Sequence, residues 1–282
     1  MSHNIEEHPA QLVFVVALHC EAVPLIGAYE LSRQQQSPFI MYSNSANSLH
    51  LVETGMGRNA AAAGVMFAYQ SLQCAPNIAW VNVGIAGQGG GALGVPFLIN
   101  KITEVGSGKR FYPARLGNMT LPGAALCTVD TPAADLVEGV CYDMEGSAVF
   151  DIARRLGSQE LITLIKVVSD TGIQAGQIVR KADVTRWIHD ALPSIDARVR
   201  EALKLSEIEG QRLAEPDVAP FVERHHYSVT QRHQLKKVLR RWAAFGMSEC
   251  PLECSIEASD SREVVASLTE ILDEHQNDWT HV

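Results

Sequence analysis

No apolar run in this chain is long enough to cross a bilayer. The most apolar stretch, LVFVVAL at residues 12 to 18, is about a third of the roughly 20 residues that a membrane helix needs, so no membrane partner is expected. The segment before it, MSHNIEEHPAQ, holds acids and no basic cluster. It therefore reads as no secretory signal, and the cytoplasm is the expected location. Positive charge is also short: 23 Lys and Arg stand against 32 Asp and Glu, a net −9, which argues against a phosphate-binding footprint over the whole protein. Cysteine is sparse and scattered (Cys20, Cys74, Cys127, Cys141, Cys250, Cys254), unlike the dense pattern of small disulfide scaffolds, and reduced thiols are expected. Only CPLEC brings two of them close. A zinc site there would need two further ligands that the sequence does not place, and no metal is expected. There is no internal repeat. What is present is ordinary globular material: 282 residues, 46% hydrophobic and 20% charged, enough for one large α/β domain or a medium domain with an appendage.

Over the first two thirds, apolar runs rich in β-branched residues alternate with helical patterns. LVFVVAL (12–18), SLHLVETG (48–55), NIAWVNVG (77–84), FLINKITEV (97–105) and LITLIKVVSD (161–170) read as strands. Helices are expected from Glu21 to about Ser32, over the Ala-rich stretch after GMGRN, over DMEGSAVFDIARRLG, and over 183–205, the last with Pro193 as a break. Continuous apolar strands separated by helices predict a sheet covered on both faces, a three-layer α/β/α sandwich over residues 1–205. The polar, Pro-containing SEIEGQRLAEPDVAP then reads as a linker, and 206–282 as a helical C-terminal extension. There Leu235, Val238, Leu239, Trp242 and Phe245 fall on one helical stripe, with Arg232, Lys236, Lys237, Arg240 and Arg241 opposite. Val264, Val265, Leu268, Ile271 and Leu272 form the stripe of a second helix. The basic face has two readings: a solvated face of a packed helix, or a surface for an acidic protein or nucleic acid.

GIAGQGGGALG contains a literal GxGxxG at Gly89, Gly91 and Gly94. A dinucleotide fold would open a helix there, whereas Pro96 and another strand-like run follow at once. The glycines are expected to make a strand-to-strand connection, and no nicotinamide cofactor is expected.

Taken in order, ALHCEAVPLI, VETGMGRNAAAAG, VNVGIAGQGG, DMEGSAVFDIARR and LIKVVSDTG resemble the nucleoside phosphorylase and nucleosidase superfamily. Within it, the pattern over about residues 12–205 is most similar to the methylthioadenosine/S-adenosylhomocysteine nucleosidases. The resemblance implies a mixed central sheet and a purine-nucleoside hydrolase, free of cofactor and metal and homodimeric. It implies Glu21 as the acid that activates water, Met144 and Glu145 at the ribose, Asp170 as the acid that protonates N7 of the leaving base, and Gly87 on the loop at the ribose and nucleophile end. Each acid also has a plainer reading: Glu21 as a surface helix acid, Asp170 as a cap, Glu145 as a first-turn acid favoured by the helix dipole.

The chemistry explains why acids of two kinds are wanted. Cleavage of an N-glycosidic bond develops positive charge on the sugar, so a donor must neutralise the departing base while a carboxylate activates water on the other face. Asp170 must carry its proton when it acts, and burial beside LIKVV favours that. Glu145 must stay ionised to accept ribose hydroxyls, and the N-terminus of its own helix is expected to help by about 0.3–1 kcal/mol. Asp143 is expected to cap or turn. Two departures matter. The phosphorylases' arginine before the Gly turn is missing and Ile85 stands where relatives carry a hydroxyl or thiol, which favours water over phosphate as nucleophile. Arg58, Lys109 and Arg110 keep phosphorolysis as the alternative. The segment Thr131 to Ala133 carries no ring to stack on a base, and Phe111 or Tyr112 is expected to supply one. A non-catalytic nucleoside-binding module is the reading from another class.

Overall fold

The computed structural model describes residues 8–279 except 35–37, 117–120, 134 and 173–178. The N-terminal residues read above as lacking a signal lie, up to residue 7, outside them. The described chain forms two compact units, Pro9–Gly210 and one that contains Gln211 onward.

The first unit runs β1 (Leu12–Val16), α1 (His19–Ala28), β2 (Ser32–Arg33), β3 (Ile40–Ser43), β4 (Leu49–Glu53), α2 (Arg58–Ser71), β5 (Ala79–Gln88), β6 (Pro96–Glu104), β7 (Arg110–Phe111), β8 (Gly123–Thr128), β9 (Val140–Asp143), α3 (Gly146–Leu156), β10 (Ile162–Asp170) and α4 (Lys181–Leu213). The ten strands form one mixed sheet in the order β10-β6-β8-β9-β5-β1-β4-β3-β2, with β7 on β6. β10 also pairs with β5, so β5, β10, β6, β8 and β9 close a circuit of hydrogen-bonded neighbours. The alternation of β1 shows how the sheet is covered. Leu12, Phe14 and Val16 enter a core with Ala22 and Leu25 of α1 and Val184, Ile188, Ile195 and Val199 of α4. Val13 and Val15 point the other way, into a core with Ala61, Val65 and Ala68 of α2 and Val149, Phe150 and Ala153 of α3.

Four expectations need correction. The third strand does not stop at Gly84, because Gly84, Ile85, Ala86 and Gly87 pair with Lys166, Val167, Val168 and Asp170 of β10. The helix expected from Asp143 begins at Gly146, with Asp143 still in β9. Pro193 does not break α4, which runs through it for 33 residues. The supposed linker is helical as far as Leu213: its Ser206 is fully buried, receives the Gln11 N–H at 3.0 Å and donates to the Asn77 carbonyl at 2.6 Å.

The glycines after β5 are needed by the chain itself. A Cβ at Gly89 would stand 2.3 Å from the Leu136 carbonyl oxygen and one at Gly91 2.2 Å from Gln88 Oε1, while Gly94, at φ +79°, would meet Trp187. No helix opens there, and Pro96 begins β6.

The second unit holds α5 (Ala219–Arg224), α6 (Val229–Ala244), α7 (Pro251–Cys254) and α8 (Ser261–Trp279). Phe221, Tyr227, Leu235, Val238, Leu239, Trp242, Val264, Leu268 and Leu272 form its own core. Ser228 caps α6 with its Oγ accepting the Gln231 N–H, and the Gln231 side chain accepts the Ser228 N–H in return. Much of the basic face is engaged inside the unit: Lys236 and Arg240 pair with Glu215, and Arg241 with Asp273.

Candidate active site

A cleft of about 270 Å³ lies among the loop after β1, the head of α1, the end of β5, the residues Val129, Pro132, Ala133 and Leu136, the β9–α3 junction and the end of β10. It brings together Glu21, Gly87, Met144, Glu145 and Asp170. Phe111 does not reach it. β7 pairs Phe111 with Ile102, its ring packs 5.5 Å from that of Phe150 with Arg154 over it, and it belongs to the core beside α2 and α3. Tyr112, its neighbour, is exposed and is not among the cleft residues.

Glu21 is the third residue of α1 and folds back on the chain that leads into the helix. Its Oε2 accepts the Ala17 and Leu18 N–H groups at 3.0 and 2.8 Å, and its Oε1 accepts the Ile85 N–H at 2.9 Å. At 2% exposure it is no surface acid. Burial pushes its carboxyl above the ordinary range, against the pull of these N–H groups and of Lys166. Gly84 makes room for the arrangement: a Cβ there would lie 3.1 Å from Glu21 Oε1 and 3.3 Å from Lys166 Nζ.

Lys166, in the middle of β10, is the member of the site that the sequence reading passed over. Its Nζ lies 2.8 Å from Asp143 Oδ2, with both side chains almost wholly buried. Burial alone would lower its pKa, but Asp143, Glu145 and Glu21 outweigh it and hold the ammonium above its ordinary value. The signal was available: a lone lysine inside LIKVV has to bring carboxylates into the core with it.

Asp143 does cap, and does more. Its Oδ2 accepts the Gly146 N–H at 2.7 Å at the head of α3, and its Oδ1 accepts the Thr128 hydroxyl at 2.7 Å. That arrangement corrects the electrostatics expected for Glu145. The N-terminus of α3 is served by Asp143, while Glu145 Oε1 accepts the Gly57 N–H, at 2.6 Å, from the head of α2. Gly57 holds φ +95°, a conformation suited to glycine, and so delivers its N–H to the cleft. Burial raises the Glu145 carboxyl despite Lys166 and Gly57. Asp170 ends β10, half-buried, with Oδ1 accepting the Gly172 N–H at 2.9 Å.

Two of the cations weighed for an anion, Arg58 and Lys109, are committed elsewhere. Arg58 pairs with Glu104 and Asp130, and Lys109 lies 3.7 Å from Asp151. Among the described residues no group of three or more His, Cys, Asp or Glu side chains is placed to hold a metal ion. No helix among them is long and apolar enough to cross a membrane.

The fold defines a class: a mixed α/β protein with the architecture of solved nucleosidases. Among solved structures, the chain is similar to the apo 5'-methylthioadenosine nucleosidase of Arabidopsis thaliana, with a TM-score of 0.58 and 21% identity over 71% of this chain and 99% of that one. An MTA/SAH nucleosidase matches at TM-score 0.56 and 20% identity, with the same coverage. The 5'-methylthioadenosine/S-adenosylhomocysteine nucleosidase of S. pneumoniae, solved with a transition-state inhibitor, matches at 0.53 and 17%, covering 70% and 99%. The likeness is one of fold, and more than a quarter of this chain lies outside it. No protein-family model and no curated protein matches the sequence.

Proposed function

We propose that this chain hydrolyses the N-glycosidic bond of a purine nucleoside, of the kind the similar structures are named for. The observation that carries the reading is the gathering of Glu21, Glu145 and Asp170 in one cleft, with Lys166 buried behind it. Glu145 takes the ribose hydroxyls. Glu21 removes a proton from water, whose oxygen bonds to C1′ as the C1′–N9 bond breaks. Asp170 gives its proton to N7 of the departing base, Oδ2 carrying it while Oδ1 stays on the Gly172 N–H. The reading includes no cofactor or metal, a homodimer and a cytoplasmic location. It takes residues 1–205 as a three-layer nucleoside phosphorylase-like sandwich, with a helical extension after it.

Water is favoured over phosphate by the seat of Glu21. The N–H groups of Ala17, Leu18 and Ile85, which an incoming anion would want, already hold a carboxylate. A second anion there would meet repulsion and find no open donor among those three. Base release should therefore be measured across a nucleoside panel that includes 5'-methylthioadenosine, with and without phosphate. Equal release in both is expected; turnover only with phosphate would refute hydrolysis, and binding without turnover would leave a nucleoside-binding module. Asp170→Asn should cut purine release by about a hundredfold or more while affinity changes little. Equal rates in variant and wild type would remove Asp170 from the acid's role.

A further inference from the structure

The cleft has a base end whose far wall no assignment above explains. Across three neighbouring strands, β10, β5 and β9, Asp170 pairs with Gly87 and Gly87 with Tyr142. The three residues form one row, with side chains at its two ends and none in the middle. Paired residues share a face of the sheet, and two strand spacings separate the ends by about 10 Å. The gap is padded by Leu136, whose methyl carbons would lie 3.0 and 3.2 Å from a Cβ on Gly87. Asp170, Leu136 and Tyr142 all line the cleft.

We infer that Tyr142 is the specificity-determining residue for the base: its side chain bounds the base opposite Asp170, and its hydroxyl reads the pyrimidine-ring edge. The inference rests on the nucleosidase reading, which puts the imidazole side of the base at Asp170. A purine laid along the row then rests on the aliphatic pad and turns its pyrimidine ring toward Tyr142. Among the described residues of the cleft Tyr142 is the one aromatic ring, since the 131–133 segment offers none and Phe111 is spent in the core. Its hydroxyl makes no hydrogen bond among the described residues, whereas Asp170, Glu145 and Glu21 each have polar partners. A phenol both donates and accepts, so it can meet the 6-amino and the 6-oxo edge. The two edges reverse the donor and acceptor at N1 and C6, and one fixed hydroxyl does not satisfy both equally well.

The test compares kcat and KM for 6-amino and 6-oxo purine nucleosides in wild type, Tyr142→Phe and Tyr142→Ala. Phe keeps the ring and loses only the hydroxyl. It should change the ratio of kcat/KM between the two nucleoside classes about tenfold, the value of one hydrogen bond, and mainly through KM. Ala should raise KM for both classes, the larger effect of losing the wall. An unchanged ratio and unchanged KM in Tyr142→Phe would overturn the assignment. If the wild type releases no base from any nucleoside, the proposed function fails on its own. Calorimetry with adenine and hypoxanthine then decides the question for Tyr142: altered selectivity in Tyr142→Phe upholds it, and equal affinities in variant and wild type overturn it.

Discussion

An ammonium group taken out of water costs several kcal/mol unless carboxylates share its enclosure. Lys166 has that company in Asp143, at 2.8 Å, and in the nearby Glu21 and Glu145. Lys166→Met would leave Asp143 buried without its cation and should cost about 3–5 kcal/mol in denaturant melts, part of which Asp143→Asn in the same chain should restore. The same ammonium lowers Glu21 and Glu145. Its removal lets both rise further, so the acid limb of kcat/KM against pH should move to higher pH in Lys166→Met. A limb that stays in place would detach Lys166 from the base. The sign for stability follows from linkage. Both glutamates sit above their ordinary value of 4.5 when folded, so at these two sites the native chain binds more protons than the unfolded one. Their contribution is full below about pH 4.5 and is lost as pH rises through the raised values. Glu21→Gln, titrated by thermal melts, should flatten that decline. At this scale the gathering of the three acids in one cleft was legible in the sequence, because each stands at a strand end or a helix head. Lys166 was not, because an apolar strand reading treats a single lysine as an interruption when it is the counter-charge. Phe111 misled because a ring's presence in sequence says nothing about which core it fills.

Among the elements, the long apolar strands β1, β5 and β10 and the helices α2 and α3 were readable from composition and period alone. β8 and β9 were not. GAALCT and VCYD are short, and their half-buried alternation has nothing to separate it from loop until partners on β6 and β5 supply the hydrogen bonds. α4 outran its expected end for a related reason. SEIEGQRL looks polar, yet Ser206 is fully buried and exchanges hydrogen bonds with Gln11 and Asn77. Ser206→Ala strands those partners in the core and should destabilise the first unit by about 1–3 kcal/mol by chemical denaturation. A loss within experimental error would show that the helix end contributes little there.

On the scale of the whole molecule, two units with separate cores make a single unfolding transition a poor description. Leu268 is wholly enclosed in the helical unit, and Leu268→Ala should cost that unit about 2–5 kcal/mol. The loss should appear in the fluorescence of Trp242, buried in the same core, while base release at low temperature is unchanged. Coincident loss of both would mean that the units unfold as one.

The closed circuit of β5, β10, β6, β8 and β9 has a kinetic consequence. Gly87 on β5, Lys166 on β10 and Tyr142 on β9 each have a paired residue on both sides. None of these three positions lies at a sheet edge. Their amides are therefore expected to be the last in the first unit to take up deuterium, through the same global opening that melts its cores. The floor of the cleft would then be among the most slowly exchanging parts of the protein, and the adaptation that binding requires would fall to the side chains that line it.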